Sequence, residues 1–192
     1  MIAILKYNAG NIKSVENALK RLGYECCVTD DPVWLQQAKK VIFPGVGEAS
    51  SAMKYLREKQ LDRVIMNLTQ PVLGICLGLQ LMCKSTEEGN TTCLNIFDVE
   101  VKRFPYGLRV PHMGWNNLEY MCGVLFKDIE GGEHFYFVHS YYASIHPCAI
   151  ATANYGIDFS AALQKDNFFA TQFHPEKSSR AGETVLKNFL EL

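Results

Sequence analysis

The sequence has little that would place it on a nucleic acid or in a membrane. Its formal net charge is −1 over 192 residues, so it carries no basic footprint for a polyanion or an anionic lipid surface. No stretch approaches the roughly 18 consecutive apolar residues of a membrane span. The opening "MIAILKYNAGN" has a short apolar run but no basic leader, long apolar core or cleavage site, so no signal peptide is expected. There is no internal repeat and no low-complexity linker. The seven cysteines, Cys26, Cys27, Cys76, Cys83, Cys93, Cys122 and Cys148, form no C-x-x-C pair. That spacing suggests neither a zinc site nor a disulfide framework, and free thiols fit a reducing, cytoplasmic setting. No cofactor or metal is called for.

What is present is apolar material. The chain is 48% hydrophobic, enough for one well-buried core in one domain spanning 1–192. In the first half, strand-like and helix-like segments alternate. Strands are expected at 2–5, 24–29, 40–45 and 71–75. "NIKSVENALKRLG" (11–23) has apolar residues at 12, 15, 18, 19 and 22, a helical spacing closed by Gly23. "DPVWLQQA" offers Asp31 as N-cap and Pro32 as first helical residue. "EASSAMKYLRE" reads as a further helix. Alternation of this kind argues for a mostly parallel sheet covered by helices on both faces. The second half turns β-rich, with strands expected at 98–104, 107–110, 133–138, 149–153, 159–164 and 167–171 and a last helix at 179–190. The fold class is α/β with antiparallel additions in the second half.

The most informative stretch is "QPVLGICLGLQLM" (70–82). A lone cysteine lies between Gly74 and Gly78, where a strand becomes a helix. Free cysteine is among the most buried residue types, so a structural thiol is the plain reading. The alternative is a nucleophile. A sharp strand-to-helix turn lifts its central side chain out of the sheet, and flanking glycines permit the tight backbone. The following helix terminus favours negative charge, and its free N–H groups, first that of Leu77, point to where an oxyanion would form.

A thiolate nucleophile needs a proton shuttle. Among His112, His134, His139, His146 and His174, the last stands out because it opens "HPE". The residue before proline is driven to extended geometry, where residues i and i+2 share a face. Glu176 is then placed to accept the ring N–H of His174, as the third member of a triad does. By itself "HPE" reads as an exposed turn; beside Cys76 it reads as catalytic. "FPGVGEAS" (43–50) follows a strand expected beside the cysteine strand, and Gly45 and Gly47 allow its N–H groups to turn inward. Alone it is an ordinary strand-ending turn and a weak phosphate loop.

Together, "FPGVG", "GICLGLQLM" and "FHPE", in this order, resemble the class I (triad) glutamine amidotransferases. "YNAGNIKSVENAL", "PHMGWN" (111–116), "YFVHSYYA" (136–143) and "HPEKSS" resemble more closely the glutaminase subunits of imidazole glycerol phosphate synthases. Leu79 stands where sister families usually carry histidine, and Asn8 where this one usually has glycine, a replacement asparagine tolerates well.

The resemblance implies a flavodoxin-like amidotransferase domain. Cys76 would attack the carboxamide of glutamine. Leu77 N–H and a backbone N–H of Gly45–Val46 would hold the oxyanion. His174, oriented by Glu176, would protonate ammonia and activate the hydrolytic water. Gln80, Gly47 and the backbone of Ser140 and Tyr141 would bind the substrate. It further implies a heterodimer with a (βα)8-barrel cyclase subunit that uses the ammonia. The expected partner-facing residues are Asn11, Lys13, His112, Trp115, Asn116 and Tyr136, with Trp115 as anchor because tryptophan is enriched at hot spots. Three readings compete with this one. They are a paralogue feeding another synthase, such as one making a surface amino sugar, a scaffold that only binds a partner, and another cysteine hydrolase of flavodoxin-like fold.

Overall fold

The computed structural model describes residues 1–8 and 10–192; Ala9, within the "YNAGN" motif, lies outside the described residues. The first half builds four parallel strands. β1 (Ile2–Leu5) leads to α1 (Ile12–Arg21), β2 (Cys26–Thr29), α2 (Pro32–Gln37), β3 (Lys40–Phe43), α3 (Ala49–Glu58), α4 (Leu61–Met66) and β4 (Val72–Ile75). Helix α1 buries Val15, Ala18 and Leu19, the apolar face its spacing predicts, and Gly23 ends it at φ 82°. Asp31 caps α2 by accepting the Val33 N–H at 2.8 Å, with Pro32 in its first turn. Helix α4 went unread because it is short, buries only Leu61 and Ile65, and follows a left-handed Gln60 in place of a capping side chain.

After α5 (Leu77–Met82) the chain continues through β5 (Ser85–Thr86), β6 (Thr91–Thr92), β7 (Glu100–Arg103), β8 (His112–Asn117), β9 (Tyr120–Met121), β10 (His134–His139) and β11 (Tyr141–Ala143). It closes with β12 (Ala149–Asn154), β13 (Asp158–Lys165), β14 (Phe168–Thr171) and α6 (Ser179–Leu190). The main sheet runs β2-β1-β3-β4-β14-β13-β11-β7-β5-β6. Strands β2, β1, β3, β4 and β14 are mutually parallel. β13 and β11 attach antiparallel. Large apolar clusters cover both faces.

One expectation for the second half fails, and one strand was not expected. Residues 107–110 form turns rather than a strand. The motif at 111–116, to which no element was assigned, lies largely in β8 (112–117), which pairs antiparallel with β10 as a separate ribbon. The alternation of β8 is inverted: His112 is buried while Met113 and Trp115 face out, so apolarity points away from the core.

Candidate active site

Strand β4 lies between β3 and β14, so its carboxyl end is flanked by the loop after β3 and the segment after β14. Three sequence motifs therefore meet at one point. Cys76 is the residue between β4 and α5, at φ 54°, ψ −103°, a conformation that costs a non-glycine residue on the order of 1–3 kcal/mol. Its N–H donates to the Thr171 carbonyl at 2.7 Å and its carbonyl accepts from Gln80 N–H at 3.2 Å, which fixes the elbow from both sides. The flanking glycines are steric requirements. A Cβ on Gly78 would stand 1.9 Å from the Phe43 carbonyl oxygen, and one on Gly74 would stand 2.9 Å from the Gly78 backbone.

His174 follows β14 and is fully buried. Its Nδ1 lies 2.8 Å from Glu176 Oε1. The pairing is as expected, but its cause differs. Residues Pro175–Lys177 form a 3-10 turn, so Glu176 folds back onto the imidazole rather than sharing a face of an extended segment. Asn11 Nδ2 also donates to Glu176 Oε1 and lies 3.4 Å from His174 Nδ1. With Nδ1 committed to Glu176, Nε2 is the nitrogen left to face the Cys76 sulfur; it is buried without a hydrogen-bond partner among the described residues. Burial disfavours a charged His174. The adjacent Cys76 sulfur and Glu176 carboxylate outweigh it and raise its pKa from 6.5 to about 10. The arrangement therefore favours the protonated imidazolium.

The loop after β3 corrects one expectation. The Leu77 N–H, read as a free oxyanion donor, donates to the Gly45 carbonyl at 3.2 Å. Because a trans peptide sets its C=O and N–H on opposite sides, the Val46 N–H points away from that position. Gly45 thus presents a carbonyl where Gly45–Val46 was expected to present a donor. The loop is pinned on either side of this peptide. Tyr7 Oη donates to the Pro44 carbonyl at 2.5 Å, and Gly10 N–H donates to the Val46 carbonyl at 3.0 Å. Gly47 takes φ 143°, a value open to glycine.

A cavity of about 230 Å³ opens over Cys76. It brings together the expected Val46, Gly47, Leu77, Gln80, Ser140 and Tyr141, and adds Glu88 and His139, which sequence reasoning missed. Glu88 is the carboxylate on this wall. Its Oε2 accepts the Ala49 N–H at 2.8 Å, and burial pushes its pKa up. No local signal marks it, because it reaches the cavity only through the β5–β6 turn.

The ribbon β8–β10 carries the expected partner surface in part. Trp115 is 54% exposed and meets Tyr136 edge to face at 5.9 Å. Lys177 Nζ lies 5.9 Å from the Tyr136 ring centre. Met113, on the same face, is more exposed still. Lys13 is exposed and pairs with Glu16 at 2.8 Å. Asn11 is half-buried and turns its amide inward to Glu176. His112 and Asn116 do not belong to this surface. His112 is buried, stacked on Tyr155 at 4.0 Å, and Asn116 faces the opposite side, donating to the Asn154 carbonyl at 2.9 Å. Strand alternation separates them from Met113 and Trp115.

Residues 4–192 match the family described as "Glutamine amidotransferase class-I". A Bacteroides fragilis protein named imidazole glycerol phosphate synthase subunit HisH is 57% identical over 194 residues, covering 100% of this chain and 99% of that one. A Yersinia pseudotuberculosis protein of the same name is 48% identical over the same shares of both chains. Among solved structures, one described as a glutamine amidotransferase superposes with a TM-score of 0.76 at 22% identity, over 99% of this chain and 97% of that one. The PurLQS structure from Thermotoga maritima gives 0.71 at 16% identity, over 99% and 97%. These last two share the fold. On the family match and the full-length relatives, the chain belongs to the class I glutamine amidotransferases.

Proposed function

We propose that this chain hydrolyses L-glutamine to L-glutamate and ammonia as one glutaminase domain over residues 1–192. The observation that carries the reading is Cys76 on a strained elbow, at the floor of the cavity, beside a buried His174–Glu176 pair. Cys76 Sγ attacks the amide carbon, and the oxygen becomes an oxyanion. His174 Nε2 gives its proton to the departing nitrogen, leaving a thioester on sulfur. The neutral imidazole then takes a proton from water, which attacks the thioester and releases glutamate. Glu176 holds the imidazole in one tautomer and balances its charge.

Glu88 takes the substrate's α-ammonium, since it is the carboxylate lining the cavity. The backbone of Ser140 and Tyr141 takes the α-carboxylate, and Gly47 lets the loop approach closely. Ammonia passes to a (βα)8-barrel cyclase subunit of imidazole glycerol phosphate synthase. The joint products are imidazole glycerol phosphate and aminoimidazole carboxamide ribotide, in histidine biosynthesis. The relatives named for that synthase, at 48–57% identity along the full chain, support this assignment. The exposed aromatic face of β8–β10 supports a heterodimer, with Trp115 and Tyr136 as central contacts. Seven free thiols suit a cytoplasmic enzyme, and among the described residues no helix is long and apolar enough to cross a membrane.

Cys76→Ala tests the chemistry. Glutamate release by the complex should vanish while the circular dichroism spectrum stays native, and a glutamine-analogue electrophile should label Cys76 alone. Near-normal release by the variant would overturn the assignment.

A further inference from the structure

A chain of side-chain hydrogen bonds runs behind the cavity wall, and the steps above do not use it. His112 Nδ1 lies 3.0 Å from His139 Nε2, and His139 Nδ1 lies 2.7 Å from the Tyr141 carbonyl. Gln80 Nε2 is 3.0 Å from the same carbonyl and 3.1 Å from Gln172 Oε1. Gln172 Nε2 is 3.6 Å from Cys76 Sγ. Gln172 is fully buried, on the segment between β14 and His174.

One atom sets the direction of every bond in this chain. A carbonyl only accepts. His139 Nδ1 must therefore carry hydrogen, so Nε2 of the neutral ring accepts and His112 Nδ1 donates. Both rings stay neutral, since burial lowers the pKa of His112 to about 4 and that of His139 to about 3. On the other side, the end of Gln80 that faces the carbonyl must be its amide nitrogen. That nitrogen also faces Gln172, so the near end of Gln172 is oxygen. Its amide nitrogen is left on the sulfur. Reversing Gln172 would set donor against donor in a dry site, where an unmade hydrogen bond is costly.

We propose that Gln172 is a catalytic residue of this site: held in one orientation by Gln80 and the Tyr141 carbonyl, its Nε2–H donates to Cys76 Sγ and stabilises the thiolate. The proposal rests on the reading of Cys76 as nucleophile. The other groups around the sulfur are His174 just before the 3-10 turn, Tyr7 just after β1, the Val138 carbonyl of β10 at 3.7 Å, and Glu88 and His139 along the cavity wall. Of these, His174 is the one cation, and it gives up its proton when ammonia leaves. Gln172 does not titrate. It keeps a donor on the sulfur through both half-reactions, including thioester hydrolysis, when the thiolate must leave.

The test uses the full chain and Gln172→Met, which keeps the volume and removes the donor. Alkylation of Cys76 by iodoacetamide is followed by mass spectrometry of its peptide across pH. The expected midpoint is higher than in the unmodified chain by about one pH unit, a tenfold change in thiolate population. Thiolate nucleophilicity rises with basicity, so the loss in rate below both midpoints is roughly three- to fourfold, and above both the variant reacts faster. Such crossing profiles are not produced by a merely structural role. Should Gln172→Met lose the native circular dichroism spectrum, Gln172→Glu carries the test. It keeps an acceptor towards Gln80 and places a second acceptor on the sulfur, so its midpoint should rise at least as far. An unmoved midpoint in the folded variant overturns the proposal. If Cys76→Ala is inactive and the midpoint does not move, only the Gln172 proposal fails. If Cys76→Ala stays active, the nucleophile assignment fails instead, whatever the midpoint does.

Discussion

Adding the proposed cyclase partner, together with that partner's ligand, to the isolated chain should raise glutamate release by at least ~10²-fold. The reason is the single bond from Leu77 N–H to the Gly45 carbonyl at 3.2 Å. In that state the oxyanion position is faced by a carbonyl, its first donor is occupied, and the Val46 N–H is turned away. Loss of one oxyanion donor typically costs about 10²–10³ in rate, or about 2.7–4 kcal/mol. Rotating the Gly45–Val46 peptide would restore both donors. The hydrogen bond it breaks is worth only about 0.5–1.5 kcal/mol net. A partner can shift this balance only by binding the rotated state more tightly. A hot-spot contact made only with the rotated state would contribute about 2 kcal/mol or more, so the shift is within reach of a single contact. The assay is a titration of purified partner into the chain at saturating glutamine. Iodoacetamide alkylation of Cys76 serves as control, because displacement of iodide develops no oxyanion. Alkylation should therefore be nearly unchanged by the partner. A lone chain already fully active would refute the reasoning. So would equal stimulation of alkylation and hydrolysis, since activation would then act on the thiol.

Two further outcomes are expected. In the assembled complex, Glu176→Gln should cost less in steady-state rate than His174→Ala. His174 moves the protons, an effect worth roughly 10²–10⁴-fold, whereas Glu176 only orients and balances the ring; the reverse order would give Glu176 a direct part in proton transfer. The raised pKa of His174 also sets a stability profile. A group whose folded pKa lies above its unfolded value stabilises fully below the latter, here 6.5, and loses that contribution as pH rises through about 10. Resistance of the chain to urea unfolding should therefore fall across that window. Cys76→Ala, which removes one of the two neighbours that raise the His174 pKa, should lose the same contribution at lower pH, and identical profiles would argue against charge coupling between the two residues.

The parts of this molecule that were legible in the sequence are those fixed by neighbours along the chain. Asp31-Pro32 marks a helix start because cap and first turn are adjacent. The glycines around Cys76 mark the elbow because the contacts that forbid side chains arise within that strand–helix unit and the strand beside it. Glu88 and Gln172 carried no such mark. Each acquires its role from segments far away in sequence, Glu88 through the β5–β6 turn and Gln172 through Gln80 and Tyr141. The exposed ribbon was misread for a related reason. Trp115 faces outward as expected, but strand alternation turns His112 into the core and Asn116 to the opposite side, and that alternation was not read because no strand was assigned there. The state of the Gly45 peptide was illegible for a different reason. Glycines permit either orientation, and the choice between them rests on a few weak hydrogen bonds.

The same contacts explain why the loop, rather than the nucleophile, is the part that can move. Helix α5 has no room against β3, because any Cβ at Gly78 would collide with the Phe43 backbone at 1.9 Å. Cys76 is further tied to Thr171 at 2.7 Å, which carries the register of β4 against β14 into the site. A displacement of the sulfur would have to break strand packing. The Pro44–Gly47 loop is held instead by separate bonds at its two ends. One of these ends, the Val46 carbonyl, is bound by Gly10 N–H, and the next residue, Asn11, donates to Glu176. The short Gly10–Asn11 segment therefore touches the oxyanion loop and the histidine–carboxylate pair at once. Gly10 is exposed and Asn11 half-buried. A partner pressing on that segment would act on the oxyanion peptide and on the orientation of His174 together, without any movement of the sheet that holds Cys76.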